Sequence, residues 1–281
     1  MSRIFKSCVR GDEDMKIVAN HAHLMPTPLA DSWWPAGDAA LLLNQLDACG
    51  IDRAVVFPPF ACQCANSMKE ANRWALQEIK PYADRLIPAG TIFPLAPDSC
   101  DVLRMLYNEG VRWLKIHPSI DLHDISAPEA GEFYTLAEEL GMVLDYHTGP
   151  HGTRLSLAKP EKFDDLAWEH PKLHLVFEHL GGRAYFEEFA AIVGNHRGRV
   201  YGGLTSIFDS DVNYLWHIAS PRIEEMVKGL GASRFIFGLD FPWNSIEATR
   251  RHLRIIDSWE ISAMDKELIL GGNLQRLLGI K

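Results

Sequence analysis

The chain has 281 residues, 47% hydrophobic and 23% charged, with a net charge of −9. That length is enough for one large buried core, the composition excludes a disordered chain, and an acidic balance without any Lys/Arg block excludes nucleic acid as the main partner. No apolar run is long enough to span a membrane and no secretory leader pattern opens the chain. Five cysteines, an odd and sparse set, fit reduced thiols in a cytoplasmic protein.

Residues 1–15 carry no strand or helix pattern, which predicts an N-terminal extension ahead of a single domain over 16–281. The first apolar run is "KIVANHAH" (16–23), and "DAALLLNQLDACG" follows with helical spacing and a stop at Gly50. "RAVVFPP" (53–59) reads as a second strand. Beyond it Cys62 and Cys64 form a C-x-C, read as two loop thiols for want of further thiol partners. A helical stretch, "SMKEANRWALQEIKPYADR", leads to a third run, "LIPAGTIFP" (86–94), and "VRWLKIHP" (111–118) is the fourth. "APEAGEFYTLAEELG" is helical, ends at Gly141, and runs straight into "MVLDYHTG" (142–149). "LHLVFEHLGG" (173–182), "RVYGGLTS" (199–206) and "RFIFGLDFP" (234–242) complete eight runs, with "RAYFEEFAAIVGNH" and "PRIEEMVKGLGAS" as the helices between them. "SIEATRRHLRIIDSW" follows the last run, and "DKELILGGNLQRLLGI" reads as a closing helix pair. Eight strand–helix repeats with right-handed crossovers predict an α/β fold, a closed (β/α)8 TIM barrel, in preference to a doubly wound sheet.

In such a barrel, chemistry sits at the C-terminal ends of the strands. Run one ends in His21 and His23, run four carries Lys115 and His117, run five His147, run six His179 and run eight Asp240. Residues two apart share a face, so His21 with His23, Lys115 with His117, and Asp145 with His147 can each face one axis. One histidine at a strand end is ordinarily a packing residue, but a set on five strands converges on one cup. Imidazoles with one carboxylate predict a divalent metal ion, zinc first, with manganese or iron as alternatives. Asp240 has a structural alternative as the N-cap of the helix after run eight. His123, His170, His174, His196, His217 and His252 show no ligand spacing.

These residues resemble the amidohydrolase superfamily. H-x-H ending strand one, "WLKIHP", "YHTG", "EHLGG", "FGLDFP" and the closing "NLQRLLGI" carry the likeness, which runs from about residue 16 to residue 280. The branch that fits is the amidohydrolase-related one, with aminocarboxymuconate semialdehyde decarboxylase and pyrone dicarboxylate lactonase. The resemblance implies that His21, His23, His147 and Asp240 bind one metal ion and that His179 acts on or orients the attacking water. It implies that Lys115, a bridging carboxylated lysine in some dinuclear relatives, meets a substrate anion here. One departure is Ala19: the family often has Asp two residues before the first histidine, so a support for that strand end is missing. Some members of the branch work without metal.

The expected activity is therefore hydrolysis of an amide, lactone or ester in a small acidic metabolite, with catalysis by Asp240 and His179. Non-oxidative decarboxylation of an aromatic or muconate-type acid is the alternative, and a catalytically inactive ligand-binding barrel is the third reading. His117, His151, Arg154 and Trp243 are candidate substrate contacts. Trp33, Trp34 and Phe60 are further candidates to wall a planar substrate, their alternative being helix-on-barrel packing. The surface aromatics allow a homodimer.

Overall fold

A computed structural model of the chain describes residues 15–25, 35–60, 67–208 and 214–280. Residues 1–14 of the expected extension, Trp33, Trp34, Cys62 and Cys64 lie outside them. The strands are β1 (Val18–His23), β2 (Arg53–Phe57), β3 (Leu86–Pro88), β4 (Gly90–Thr91), β5 (Trp113–Ile116), β6 (Val143–His147), β7 (His174–Glu178), β8 (Val200–Leu204) and β9 (Phe235–Phe241). Every pairing is parallel, in the order β3-β2-β1-β9-β8-β7-β6-β5-β4.

The two ends of that order, β3 and β4, are consecutive in the chain and separated only by Ala89. They are halves of the one run read as "LIPAGTIFP", so the sheet closes on itself as the expected (β/α)8 barrel. A side chain mends the break. Asn72 donates to the Thr91 carbonyl at 2.8 Å and accepts from the Thr91 N–H at 3.0 Å, in place of a neighbouring strand. Gly90 is required there, because a Cβ would run into the Leu106 and Leu114 side chains.

The helices begin and end where local chemistry directs. α1 (Ala39–Cys49) starts at Asp38, whose side chain accepts from Leu41 N–H, and stops at Gly50 in the left-handed conformation. α2 (Met68–Ile79) opens with a capping box between Ser67 and Glu70. α3 (Ser99–Asn108) and α5 (Pro160–Glu169) add to the helices read from sequence. Each is ten residues long with a narrow buried stripe: Val102, Leu103 and Leu106 in one, Phe163, Leu166 and Ala167 in the other. α4 (Gly131–Glu139), α6 (Gly182–Asn195), α7 (Ser220–Leu230) and α8 (Ile246–Ser258) complete the outer ring, and α9 (Ala263–Glu267) and α10 (Asn273–Leu278) follow. Among the described residues no helix is long and apolar enough to cross a membrane.

Two apolar clusters result. The larger lies between sheet and helices. The smaller is built from alternate strand residues, among them Val18, Val55, Trp113, Val143, Val176 and Ile236, which fill the lower half of the barrel. Leu274 of α10 joins it, with Leu277, Leu278 and Ile280 packed beneath. Asn273 anchors this helix by donating to the Ala232 and Phe235 carbonyls, both at 2.8 Å. The upper end is left for the polar strand ends.

Candidate active site

The strand ends are bent to bring polar side chains inward. β1 has a register shift between Ala19 and Ala22, and His21 sits at φ +67°. His179 (φ +66°), Asp240 (φ +54°) and Ser206 (φ +55°) share this left-handed conformation. It costs a non-glycine residue about 1–3 kcal/mol and gathers at functional sites. The bend lets two neighbours on one strand, Asn20 and His21, both turn toward the axis. Gly238 makes room: a Cβ there would overlap Thr205 Oγ1 and press on the His21 Cβ.

Three ligand-type atoms meet at the top. His21 Nε2 and His23 Nε2 lie 3.3 Å apart, and Asp240 Oδ1 is 3.6 Å from His21 Nε2. All three residues are buried. Lone pairs so close repel unless a proton or cation lies among them. Atoms sharing one zinc at about 2.0–2.1 Å in a tetrahedron stand about 3.3–3.4 Å apart, so the spacing fits a small divalent ion. His147 lies across the mouth, 4.6 Å from His179 between ring centroids, and its buried Nε2 has no partner among the described residues. Asp240 is held from outside. Its Oδ2 accepts from Ser206 Oγ at 2.5 Å, and Ser206 Oγ in turn accepts from Asn244 Nδ2 at 2.9 Å. The N-cap of α8 is Ser245, so Asp240 is not needed there. Burial pushes the Asp240 carboxyl up to about 6, while the Ser206 hydrogen bond and Lys115 oppose the rise.

A second polar layer lies directly beneath. Lys115 Nζ donates to Asp145 Oδ1 at 3.0 Å, and Trp113 Nε1 to Asp145 Oδ2 at 3.0 Å. Asn20 Nδ2 donates to Asp145 Oδ2 at 2.6 Å and to Glu178 Oε1 at 2.5 Å. Burial raises both carboxyls, and Lys115 pulls them back down. His21 Nδ1 stands 3.7 Å from Glu178 and 3.9 Å from Asp145, so this nitrogen faces the acids and Nε2 faces His23 and Asp240. These carboxylates, from β6 and β7, give the first strand's end the support that Ala19 lacks. Gly203 is the space Glu178 occupies: a Cβ there would overlap its carboxyl.

The remaining imidazoles have readable tautomers. His179 Nδ1 is 2.8 Å from the Thr205 carbonyl, which can only accept, so Nδ1 carries the proton and Nε2 a lone pair. Burial, followed by His21 and Lys115, lowers the His179 pKa well below its ordinary value, and the ring is neutral. His117 stacks on His147 at 3.9 Å, with His151 4.8 Å from His117 and 4.9 Å from His147. Phe60 and Trp243 flank His23, at 5.4 and 5.3 Å.

Of the residues singled out from sequence, His21, His23, His117, His147, His151, His179, Asp240 and Trp243 stand together at the mouth. Lys115 stands below it, engaged with Asp145, and Arg154 is exposed at the start of a loop turn. Three features escaped sequence reasoning. Glu178 and Asn20 precede histidines that drew attention, and adjacency to them was the available signal. Ser206 holds Asp240 from another strand end. Trp216 stacks on His179 at 4.4 Å and on His151 at 5.6 Å, and its Nε1 donates to the Pro150 carbonyl at 3.0 Å. It comes from the segment after β8, where nothing in the sequence marks it.

The family model described as Amidohydrolase matches residues 18–280. Solved structures share the fold. An uncharacterized TIM-barrel protein from Bordetella bronchiseptica aligns at a TM-score of 0.75 and 18% identity, over 94% of this chain and 98% of its own. A dihydroxybenzoic acid decarboxylase from Polaromonas, with bound manganese and the inhibitor 2-nitroresorcinol, aligns at 0.71 and 14% identity, over 94% and 97%. A probable 2-pyrone-4,6-dicarboxylic acid hydrolase from Acinetobacter baumannii aligns at 0.69 and 16%, over 95% and 100%. No curated protein matches the chain by sequence.

Proposed function

We propose that this chain, which belongs to the amidohydrolase family, is a metal-dependent hydrolase that opens a lactone, ester or amide bond in a small planar carboxylic acid. The observation that carries this reading is the His179 tautomer. An imidazole held with Nδ1–H on the Thr205 carbonyl offers a lone pair at Nε2 beside the candidate ligands. That is what an attacking water needs as an acceptor.

His21, His23, His147 and Asp240 would hold the ion. Three nitrogens and one oxygen suit zinc, with manganese or iron as alternatives. When bound, the ion supplies a Lewis acid that polarises oxygen and eases loss of a proton from water. The side chains do the rest. His179 Nε2 accepts a hydrogen bond from the attacking water and sets its approach. Asp240 takes the proton and returns it to the leaving oxygen or nitrogen. Phe60, Trp243 and Trp216 present flat faces around the imidazoles, which favours a planar substrate. His151 and Arg154, past the end of β6, would meet an outer carboxylate, and Lys115 would act from below through Asp145.

Non-oxidative decarboxylation is the second reading. The buried Asp240 carboxyl can also deliver a proton to a ring carbon, and the likeness to a dihydroxybenzoic acid decarboxylase supports it. Incubating the zinc-loaded protein with pyrone, lactone and hydroxybenzoic acids in ¹⁸O-water separates the two. Hydrolysis places one ¹⁸O in the product and releases no carbon dioxide. Carbon dioxide with no ¹⁸O in the organic product moves the assignment to a decarboxylase.

A further inference from the structure

One member of the proposed ligand set, His147, stands in a cluster with His117 and His151, their nitrogens within 4.8 Å of one another. The cluster has the look of a second cation site. A hydrogen bond in the turn after β5 argues against it. The Ile120 backbone N–H donates to His117 Nδ1 at 3.3 Å. That nitrogen is therefore an acceptor, and the neutral ring carries its proton on Nε2. A nitrogen that keeps its proton cannot ligate a cation.

The turn fixes this arrangement. His117 O accepts from Asp121 N–H at 3.1 Å, and Pro118 O accepts from His123 N–H at 2.8 Å, so the chain folds back over the ring. Stacking on His147 at 3.9 Å and 10° fixes its plane, and the edge contact with Phe60 at 5.4 Å holds its flank. His117 is buried. His147 is thus bordered by two imidazoles of opposite character: His179 with a lone pair at Nε2, His117 with a proton there.

We propose that His117 is a substrate-recognition residue whose Nε2–H donates to a carbonyl or carboxylate oxygen of the bound planar acid, and that the three-imidazole cluster holds no second ion. The role in selecting substrate rests on the function proposed above. The tautomer does not. His117 selects acids carrying an oxygen beside the reacting carbon, because an analogue without it leaves a buried donor unsatisfied.

The test uses the full chain labelled with ¹⁵N-histidine, zinc, and benzoate as a planar carboxylate probe. NMR is expected to show an acceptor Nδ1 and a protonated Nε2 in His117, both unchanged by one equivalent of zinc, with the Nε2–H signal moving on addition of benzoate. His117→Phe keeps the stacking surface and is expected to retain zinc while binding benzoate about tenfold more weakly. His117→Gln, which restores a donor, recovers most of that loss. Zinc bound at His117 Nε2, or zinc lost from His117→Phe, would overturn the proposal in favour of a second cation site. Unchanged benzoate affinity in zinc-loaded His117→Phe would reduce the residue to packing. A chain that shows this pattern yet hydrolyses nothing keeps the donor and loses the hydrolase.

Discussion

Two polar layers share the axis of this barrel, and they differ in one respect. In the lower layer Lys115, Asp145, Glu178 and Asn20 answer one another: a cation and an amide hold two acids whose burial would otherwise forbid charge. In the upper layer His21 Nε2, His23 Nε2 and Asp240 Oδ1 crowd together at 3.3 and 3.6 Å with no cationic side chain among them. Both layers are buried, and both consist of residue types that serve catalysis elsewhere. Burial of polar groups therefore does not mark the site. A convergence of ligand-type nitrogen and oxygen atoms with no cation beside them does, and the strained backbone at His21, His179 and Asp240 falls on that upper layer.

The comparison breaks first at Lys115. Replacing it by Met leaves Asp145 and Glu178 without their cation. The expected loss is about 3–5 kcal/mol of folding stability, read by chemical denaturation with and without zinc. A Lys115→Met variant as stable as the wild type would mean the lower layer is not held by charge. The second effect belongs to the upper layer. The Asp240 carboxyl, at about 6, must be deprotonated to bind a cation. Zinc affinity should fall about tenfold per pH unit below about 6 and lose its dependence on this group above it. The neighbouring imidazoles, lowered by burial, stay neutral and do not compete. In ion-free protein the sign reverses for stability. A raised carboxyl favours the fold at acid pH, and that contribution disappears as pH rises from about 4 through about 6. Calorimetric titration with zinc at pH 5, 6 and 7 checks the first slope, and denaturation of the ion-free chain over that range checks the second. The smallest effect is at Trp216. Trp216→Leu removes the face stacked on His179 and His151, and KM for a planar acid should rise about three- to tenfold with kcat within about twofold. A large fall in kcat instead would place Trp216 in orienting His179.

Much of this was legible in the sequence, for physical reasons. Parallel strands buried on both faces read as continuous apolar runs, so the eight runs and their order could be seen. His21, His23, His147, His179 and Asp240 stood out because each closes such a run. The division of labour between the layers could not be read. Lys115 and Asp145 sit opposite each other only through the register of β5 on β6, which no single strand encodes. Lys115 is for that reason expected from sequence at a substrate anion and found on Asp145. The positive φ at His21 and His179 has no glycine to announce it, and it alone lets Asn20 with His21, and Glu178 with His179, turn inward as neighbours. Trp216 depends on where a connecting segment folds back, and α3 and α5 have apolar stripes too narrow to separate from loops.

The terminal helix makes one more difference to how such a molecule works. With Leu274 seated in the lower cluster and Leu277, Leu278 and Ile280 beneath it, the barrel is stoppered at the end away from the histidines. Among the described residues the lower end leaves no passage to a ligand. Under the proposed function, a ligand that enters beside Trp243 and Trp216 leaves by that same end, so substrate and product take turns and each obstructs the other.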